Sequence, residues 1–192
     1  MTEICVLTKN NFEEVKEKLI NEGFDYVETY NNYDTYFTTL FENISNISYS
    51  QLLEKSILVR EIKGENLDKK FIVYKKKVFD NHENVIDEIK TKLNIDNIEN
   101  AKTIFQNLGL HCWCDYVVNN NEFKKGEIIV NVQNVDKLGT FIEIEEYESI
   151  KRKSNEEKFD ILKNIILSMN LEIFPDYSCK KPFMMFKQLF SN

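Results

Sequence analysis

The chain of 192 residues contains few residues that interrupt regular structure or bind transition metals: two prolines, five glycines and two histidines. This scarcity argues against a disordered or linker-rich protein, because such chains are enriched in proline and glycine. No apolar run approaches the roughly 18 residues expected of a membrane-spanning helix. The start, MTEICVLTKN, lacks the basic beginning and apolar core of a signal peptide. We therefore expect a cytoplasmic protein with no membrane partner.

Positive charge is also scarce, since 25 Lys and Arg stand against 32 Asp and Glu and the formal net charge is −7. A nucleic-acid partner is not expected, because such binders depend on basic contacts to phosphates. The four cysteines include no CxxC pair, and a cytoplasmic location disfavours disulfides. His111, Cys112 and Cys114 come nearest to a zinc site, but their spacing is not that of a zinc knuckle. We expect them to be partly buried strand residues, with zinc as the minor alternative.

Hydrophobic residues make up 42% of the chain and aromatic residues 12%, which is enough for a core. The length suits one domain over residues 1–192. Apolar residues at helical spacing, next to capping residues, predict three helices. Their ranges are 10–23, capped by Asn11; 96–109, capped by Asp96 with Glu99; and 154–170, capped by Ser154 with Glu157. We expect a short apolar segment, 182–190, to dock at the C-terminus.

Alternating segments rich in β-branched and aromatic residues predict eight strands. They cover residues 3–8, 26–38, 56–63, 70–79, 85–95, 111–119, 127–133 and 139–148. So many strands beside so few helices predict an α+β protein.

The strand 139–148 places Ile142 and Ile144 on one face and Glu143 and Glu145 on the other. Two ionised carboxylates at that spacing, roughly 6 to 7 Å, repel by about 2 to 3 kcal/mol at an effective dielectric of 20. A solvated outer face is the simple explanation. However, other strands also carry charged residues on the same face as apolar ones, namely Glu3, Arg60, Lys75 and Lys77. Charged residues within several strands of one sheet suggest a polar concavity.

Several motifs occur in a characteristic order: DTYF at 34–37, then LVRE, VYKKK, a helix ending in NLGL, and VDKLGTFIEIE. With these motifs the chain resembles the CYTH superfamily of class IV adenylate cyclases, thiamine triphosphatases and inorganic triphosphatases. The likeness covers nearly the whole chain. The last motif is the most specific, because the family has a leucine and a glycine leading directly into an E-x-E strand. DYS at 176–178 also looks like a family feature.

The resemblance implies an α+β fold in which an eight-stranded antiparallel β-barrel, the triphosphate tunnel, is covered by helices. It also implies a nucleotide or polyphosphate ligand and metal-dependent turnover of a triphosphate, as an adenylate cyclase or a triphosphatase. Carboxylates would hold Mg²⁺ or Mn²⁺, and basic residues would bind phosphate oxygens. The implied metal ligands are Glu3, Glu143 and Glu145, and the implied phosphate-binding residues are Arg60, Lys75 and Lys77.

Several positions depart from the family pattern. Cys5 and Leu7 replace a glutamate and a lysine of the first strand, and Gln133 replaces an aspartate. The other departures are Leu58, Lys90, Lys92 and Asn120. Cysteine is a poor magnesium ligand, and leucine offers no donor to a phosphate. A second hypothesis is therefore a tunnel protein that binds an anionic ligand without turnover. A third is a scaffold whose charges are solvated and whose function is protein interaction. The sequence leaves a homodimer open.

Overall fold

The computed structural model describes residues 2–79 and 85–190, without the side chains of residues 43, 45, 75–79 and 85–89. Eight strands form one sheet: β1 (Glu3–Thr8), β2 (Asp25–Thr38), β3 (Ser56–Gly64), β4 (Asp68–Phe79), β5 (Val85–Asn94), β6 (His111–Lys125), β7 (Ile128–Val135) and β8 (Gly139–Glu145). Five α-helices accompany it: α1 (Phe12–Asn21), α2 (Tyr49–Glu54), α3 (Ile98–Asn107), α4 (Asn155–Ser168) and α5 (Lys181–Phe190). Two short 3-10 helices cover Phe41–Asn46 and Glu148–Ile150.

The strands are hydrogen-bonded in the order β1-β8-β7-β6-β2-β3-β4-β5. The predicted class, α+β with eight antiparallel strands and helices, is confirmed. Closure into a barrel is not confirmed, because β1 and β5 end the strand order among the described residues. None of the described helices combines the length and hydrophobicity needed to cross a bilayer.

The chain divides into two compact units. The first unit comprises Met1–Asn31 and Val118–Lys181, and the second comprises Asn32–Val117 and Pro182–Asn192. The long strands β2 and β6 contribute residues to both units, so each unit holds its own part of the sheet.

The first unit buries the apolar face of β1 and β8 against α1 and α4. Ile4 pairs with Ile144 and Val6 pairs with Ile142, and all four side chains are fully buried. They belong to one core cluster with helix residues that include Val15, Leu19, Leu162 and Ile166. The four strand residues thus pack against helices. Because strand side chains alternate, the odd-numbered residues of β1 and β8 lie on the opposite face, here called the polar face.

The segment after α4 runs beside β1 and thereby brings the start of α5 to the polar face. Cys5 donates its backbone N–H to the Tyr177 carbonyl at 3.2 Å, and Cys179 donates to the Cys5 carbonyl at 3.0 Å. The Asp176 carboxylate accepts from the Ser178 N–H at 2.9 Å and from its hydroxyl at 3.1 Å. This Asx-type turn gives the DYS motif a structural role.

The second unit has an aromatic core in which Trp113 donates its indole N–H to the Ser56 hydroxyl at 3.0 Å. Trp113 and Cys114 are buried, whereas His111 and Cys112 are exposed, so burial does not alternate at the start of this strand. Among the described residues, no metal-ligand cluster contains any member of this HCWC segment.

Helix caps were mostly predictable. Asn11 and Ser154 each begin a helix with a reciprocal capping box, as expected. Asp96 was the wrong cap for α3, because the Asn97 side chain accepts from the Asn100 N–H at 2.9 Å. Helix α2 was not predicted, although its first turn carries a capping box between Ser48 and Gln51.

Candidate functional site

Three carboxylates converge on the polar face of the first unit. Glu3 on β1 is the direct partner of Glu145 on β8, and Cys5 is the partner of Glu143. Antiparallel pairing therefore sets Glu3 opposite Glu145, while strand alternation sets Glu143 on the same face. Carboxylate oxygens of Glu3, Glu143 and Glu145 lie within 4.8 Å of one another. The structure thus brings together all three residues that the sequence indicated as metal ligands.

The donor set of this acidic cluster suits a hard divalent cation. Magnesium, manganese and calcium prefer oxygen ligands, and carboxylates supply both oxygen and compensating charge. Two charges at 4.8 Å repel by about 3 kcal/mol at an effective dielectric of 20, and less where water screens them. Glu3 and Glu145 are exposed, so a cation can reach them from solvent. The residues present therefore fit a Mg²⁺ or Mn²⁺ ion.

Lys181, the first residue of α5, also lies at the acidic cluster. Its ammonium is 2.9 Å from the Glu143 carboxylate and 3.5 Å from the Cys5 sulfur. It is also 5.4 Å from the centre of the Phe141 ring. Burial opposes the charge of Lys181, but Cys5 and Glu143 outweigh that effect and raise its pKa above the usual range. The cluster thus contains a cation supplied by the chain itself.

The Cys5 side chain is a neutral thiol near neutral pH. Burial, partly opposed by Lys181, raises its pKa to about 12. A neutral thiol is a weak ligand for hard cations. Cys5 therefore adds no ligand to the three carboxylates.

Polar residues continue across this face on β7 and β6. Asn131 is the direct partner of Glu143 and accepts a hydrogen bond from the Tyr30 hydroxyl at 3.3 Å. On β6 the partner of Asn131 is Glu122, whose pKa is raised by burial and by the charge of Glu28. Glu122 and Glu28 were not among the predicted site residues. Alternation along β6 indicated that Glu122 shares a face with Asn120.

Arg60, predicted to bind phosphate, lies in the second unit and forms an ion pair with Asp34. The guanidinium donates from Nε to Asp34 Oδ1 at 2.5 Å and from a terminal nitrogen to Oδ2. The Asp34 side chain is fully buried. Burial disfavours the charge of Arg60, but Asp34 raises its pKa above the ordinary value. The DTYF and LVRE motifs are thus joined by a two-pronged ion pair, and phosphate binding by Arg60 stays a prediction.

The side chains of the other two predicted phosphate-binding residues, Lys75 and Lys77, lie outside the described residues. The backbone register nevertheless defines their positions. Arg60 pairs with Phe71, and Lys75 and Lys77 follow further along β4. In the backbone register their partners on β5 are Lys90 and Glu88, respectively.

No protein-family model and no curated protein matches the sequence. Solved structures do match its fold. PH1819 from Pyrococcus horikoshii OT3 superposes with a TM-score of 0.71 at 16% identity, covering 97% of this chain and 98% of that one. HpAC1 from Hippeastrum, described as a candidate adenylyl cyclase with a dominant triphosphatase activity, gives a TM-score of 0.62 at 13% identity, covering 97% and 94%. The chain thus shares its fold with these solved structures.

A chain of the Schizosaccharomyces pombe Mediator head module superposes with a TM-score of 0.57 at 8% identity, covering 90% of this chain and 98% of that one. Fold likeness at these identities says nothing about activity. Function must therefore be argued from the residues of the site.

Proposed function

We propose that this protein binds a divalent cation through Glu3, Glu143 and Glu145 and uses it to hold and turn over a triphosphate compound. The observation that carries the proposal is the convergence of these three carboxylate groups within 4.8 Å. Hydrolysis of a phosphoanhydride bond is the first reaction to test, because triphosphatase activity is described as dominant in HpAC1. Cyclisation of ATP is the alternative reaction.

A bound Mg²⁺ or Mn²⁺ would neutralise negative charge on the phosphates and stabilise the charge that develops during phosphoryl transfer. Among the chain's own residues, Lys181 supplies a positive charge on the face where Leu7 of β1 offers none. Its ammonium is held at Glu143 in the structure and has a flexible stem that can reach a phosphate oxygen. Phosphate binding by Arg60, Lys75 and Lys77 of the second unit stays a prediction from the family resemblance.

The test is an incubation with ATP, inorganic triphosphate or thiamine triphosphate in the presence of Mg²⁺ or Mn²⁺. Phosphate, pyrophosphate and cyclic nucleotide are measured as products. We expect metal-dependent product that falls by roughly 100-fold or more in Glu143→Ala and Glu145→Ala. Glu17→Gln removes an exposed carboxylate on α1 and should leave the rate unchanged. Absence of product from the unaltered protein with every substrate would contradict turnover.

A second candidate function is ligand binding without turnover, and two observations favour it. Cys5 contributes a neutral thiol where the resembled family has a carboxylate. Arg60 already has two of its donors engaged by Asp34. Thermal stabilisation by metal and triphosphate without any product would establish this function. Stabilisation accompanied by product would exclude it.

A further inference from the structure

Gln133 is a buried amide on the polar face, next to the acidic cluster. It lies on β7, where its direct partners are Phe141 on β8 and Asn120 on β6. Only 5% of Gln133 is exposed. Phe141 precedes Glu143 by two residues, so Gln133 and Glu143 are diagonal neighbours at about 7 to 8 Å on one face.

Hydrogen bonds determine which way the two amides point. The Asn120 amide nitrogen donates to the Val118 carbonyl at 3.0 Å and to the Tyr30 carbonyl at 3.4 Å. Because carbonyl oxygens only accept, Asn120 must turn its own oxygen toward Gln133. Gln133 then donates its amide nitrogen to that oxygen at 2.9 Å. The orientation leaves Gln133 Oε1 as an acceptor.

This acceptor lacks a donor. Within the described ranges, Gln133 Oε1 is buried and makes no hydrogen bond. Buried polar atoms are nearly always satisfied in folded proteins, because an unpaired acceptor has lost its hydration without replacement. A phosphate oxygen cannot satisfy it, since both groups accept. A hydroxyl or amino group can.

We propose that Gln133 accepts a hydrogen bond from a hydroxyl or amino group of the bound ligand. The inference rests on the proposed function, and it specifies the ligand class. The ligand is a triphosphate ester whose organic part carries a donor, such as a nucleoside triphosphate, rather than inorganic triphosphate. Gln133 is thus a specificity-determining residue.

Gln133 Oε1 is buried, so a ligand can reach it only after neighbouring side chains move. Its strand partner Phe141 lies beneath the Lys181 ammonium, 5.4 Å from the ring centre. Lys181 has a long flexible stem and is held there by Glu143, which is also a proposed cation ligand. A cation at Glu143 would compete with Lys181 for that carboxylate and allow the Lys181 side chain to move.

The test is calorimetric titration in Mn²⁺ with ATP, inorganic triphosphate and three ATP analogues. Each analogue lacks one donor: the 2′ hydroxyl, the 3′ hydroxyl or the 6-amino group. We expect the unaltered protein to bind one analogue about tenfold more weakly than ATP, which is the usual effect of one lost hydrogen bond to a buried partner. Gln133→Met should bind ATP and that analogue equally. It should change the affinity for inorganic triphosphate less than twofold.

Asn134→Ala is the matched control, because this exposed residue follows Gln133 on the opposite face and should retain the discrimination. The inference is overturned if the unaltered protein binds ATP and all three analogues equally, as it would if an internal water satisfied Oε1. It is also overturned if Gln133→Met retains the discrimination. The analogue comparison needs no variant, so it stands even if Gln133→Met does not fold. Absence of Mn²⁺-dependent binding of both ATP and inorganic triphosphate is a separate result that refutes the proposed function itself.

Discussion

The first unit gathers carboxylates of like charge, whereas the second unit joins opposite charges in a buried pair. In the first unit Glu3, Glu143 and Glu145 lie within 4.8 Å. In the second, Asp34 accepts two hydrogen bonds from Arg60. The pair needs no ligand, because each charge compensates the other. The cluster brings three like charges together, Lys181 pairs with one of them, and we propose that a cation from solution binds all three.

The largest expected effect comes from breaking the pair. Asp34→Ala leaves the Arg60 guanidinium partly buried without its carboxylate, which should lower the free energy of unfolding by about 3 to 5 kcal/mol. Urea denaturation followed by circular dichroism measures this change. Adding Arg60→Met to Asp34→Ala should recover most of the loss. A loss below about 1 kcal/mol, the size typical of exposed pairs, would contradict the pairing.

The second-largest loss of stability is expected when Lys181, the cation that the chain supplies to the acidic cluster, is removed. Lys181→Met leaves Glu143 without its charged hydrogen bond, and we expect a loss of about 2 kcal/mol in a chelator. Saturating Mn²⁺ should then stabilise this variant more than the unaltered protein, because the metal replaces the missing charge. Thermal unfolding with and without Mn²⁺ measures both effects. Lys55→Met, at an exposed position, should show neither.

The smallest expected effect is a gain in the free energy of unfolding rather than a loss. Glu145→Gln removes one like charge at constant shape, so it should raise the free energy of unfolding in a chelator by roughly 0.5 to 1 kcal/mol. The same variant should gain less stability from Mn²⁺ than the unaltered protein does. Asp34→Asn, the equivalent change in the second unit, should be destabilising in both conditions. A Glu145→Gln variant that is less stable in the chelator would show that the carboxylates do not repel one another.

Regular alternation made the strands predictable and placed Glu143 and Glu145 on one face of β8. Alternation alone favoured a solvated face there, and the family resemblance indicated Glu3, Glu143 and Glu145 as metal ligands. Strand β6 runs to Lys125, whereas the predicted strand ended at residue 119. The prediction was too short because the continuation, NNEFKK, is mostly polar and shows no alternation of apolar and polar residues. Helix α2 was missed because its six residues are too few to show a helical period.

Contacts between distant parts of the chain were not predictable from local pattern. Lys181 meets Glu143 across 38 residues because the segment after α4 returns along β1. Arg60 meets Asp34 across 26 residues, which showed only after the register of the sheet was known. The residues next to Lys181 and Arg60 in the sequence did not indicate these ion pairs. Each pair depends on a carboxylate that lies far away along the chain.

The most direct test of the account is calorimetric titration of Mn²⁺ into the metal-free protein, compared with Glu143→Gln and with the control Glu17→Gln. Three carboxylates around one cation predict a single Mn²⁺ site in the unaltered protein and in Glu17→Gln. Glu143→Gln keeps the side-chain shape but removes one charge, so its affinity should fall by at least about tenfold. No binding of Mn²⁺ or Mg²⁺ by the unaltered protein, or equal binding by Glu143→Gln, would contradict the cation site.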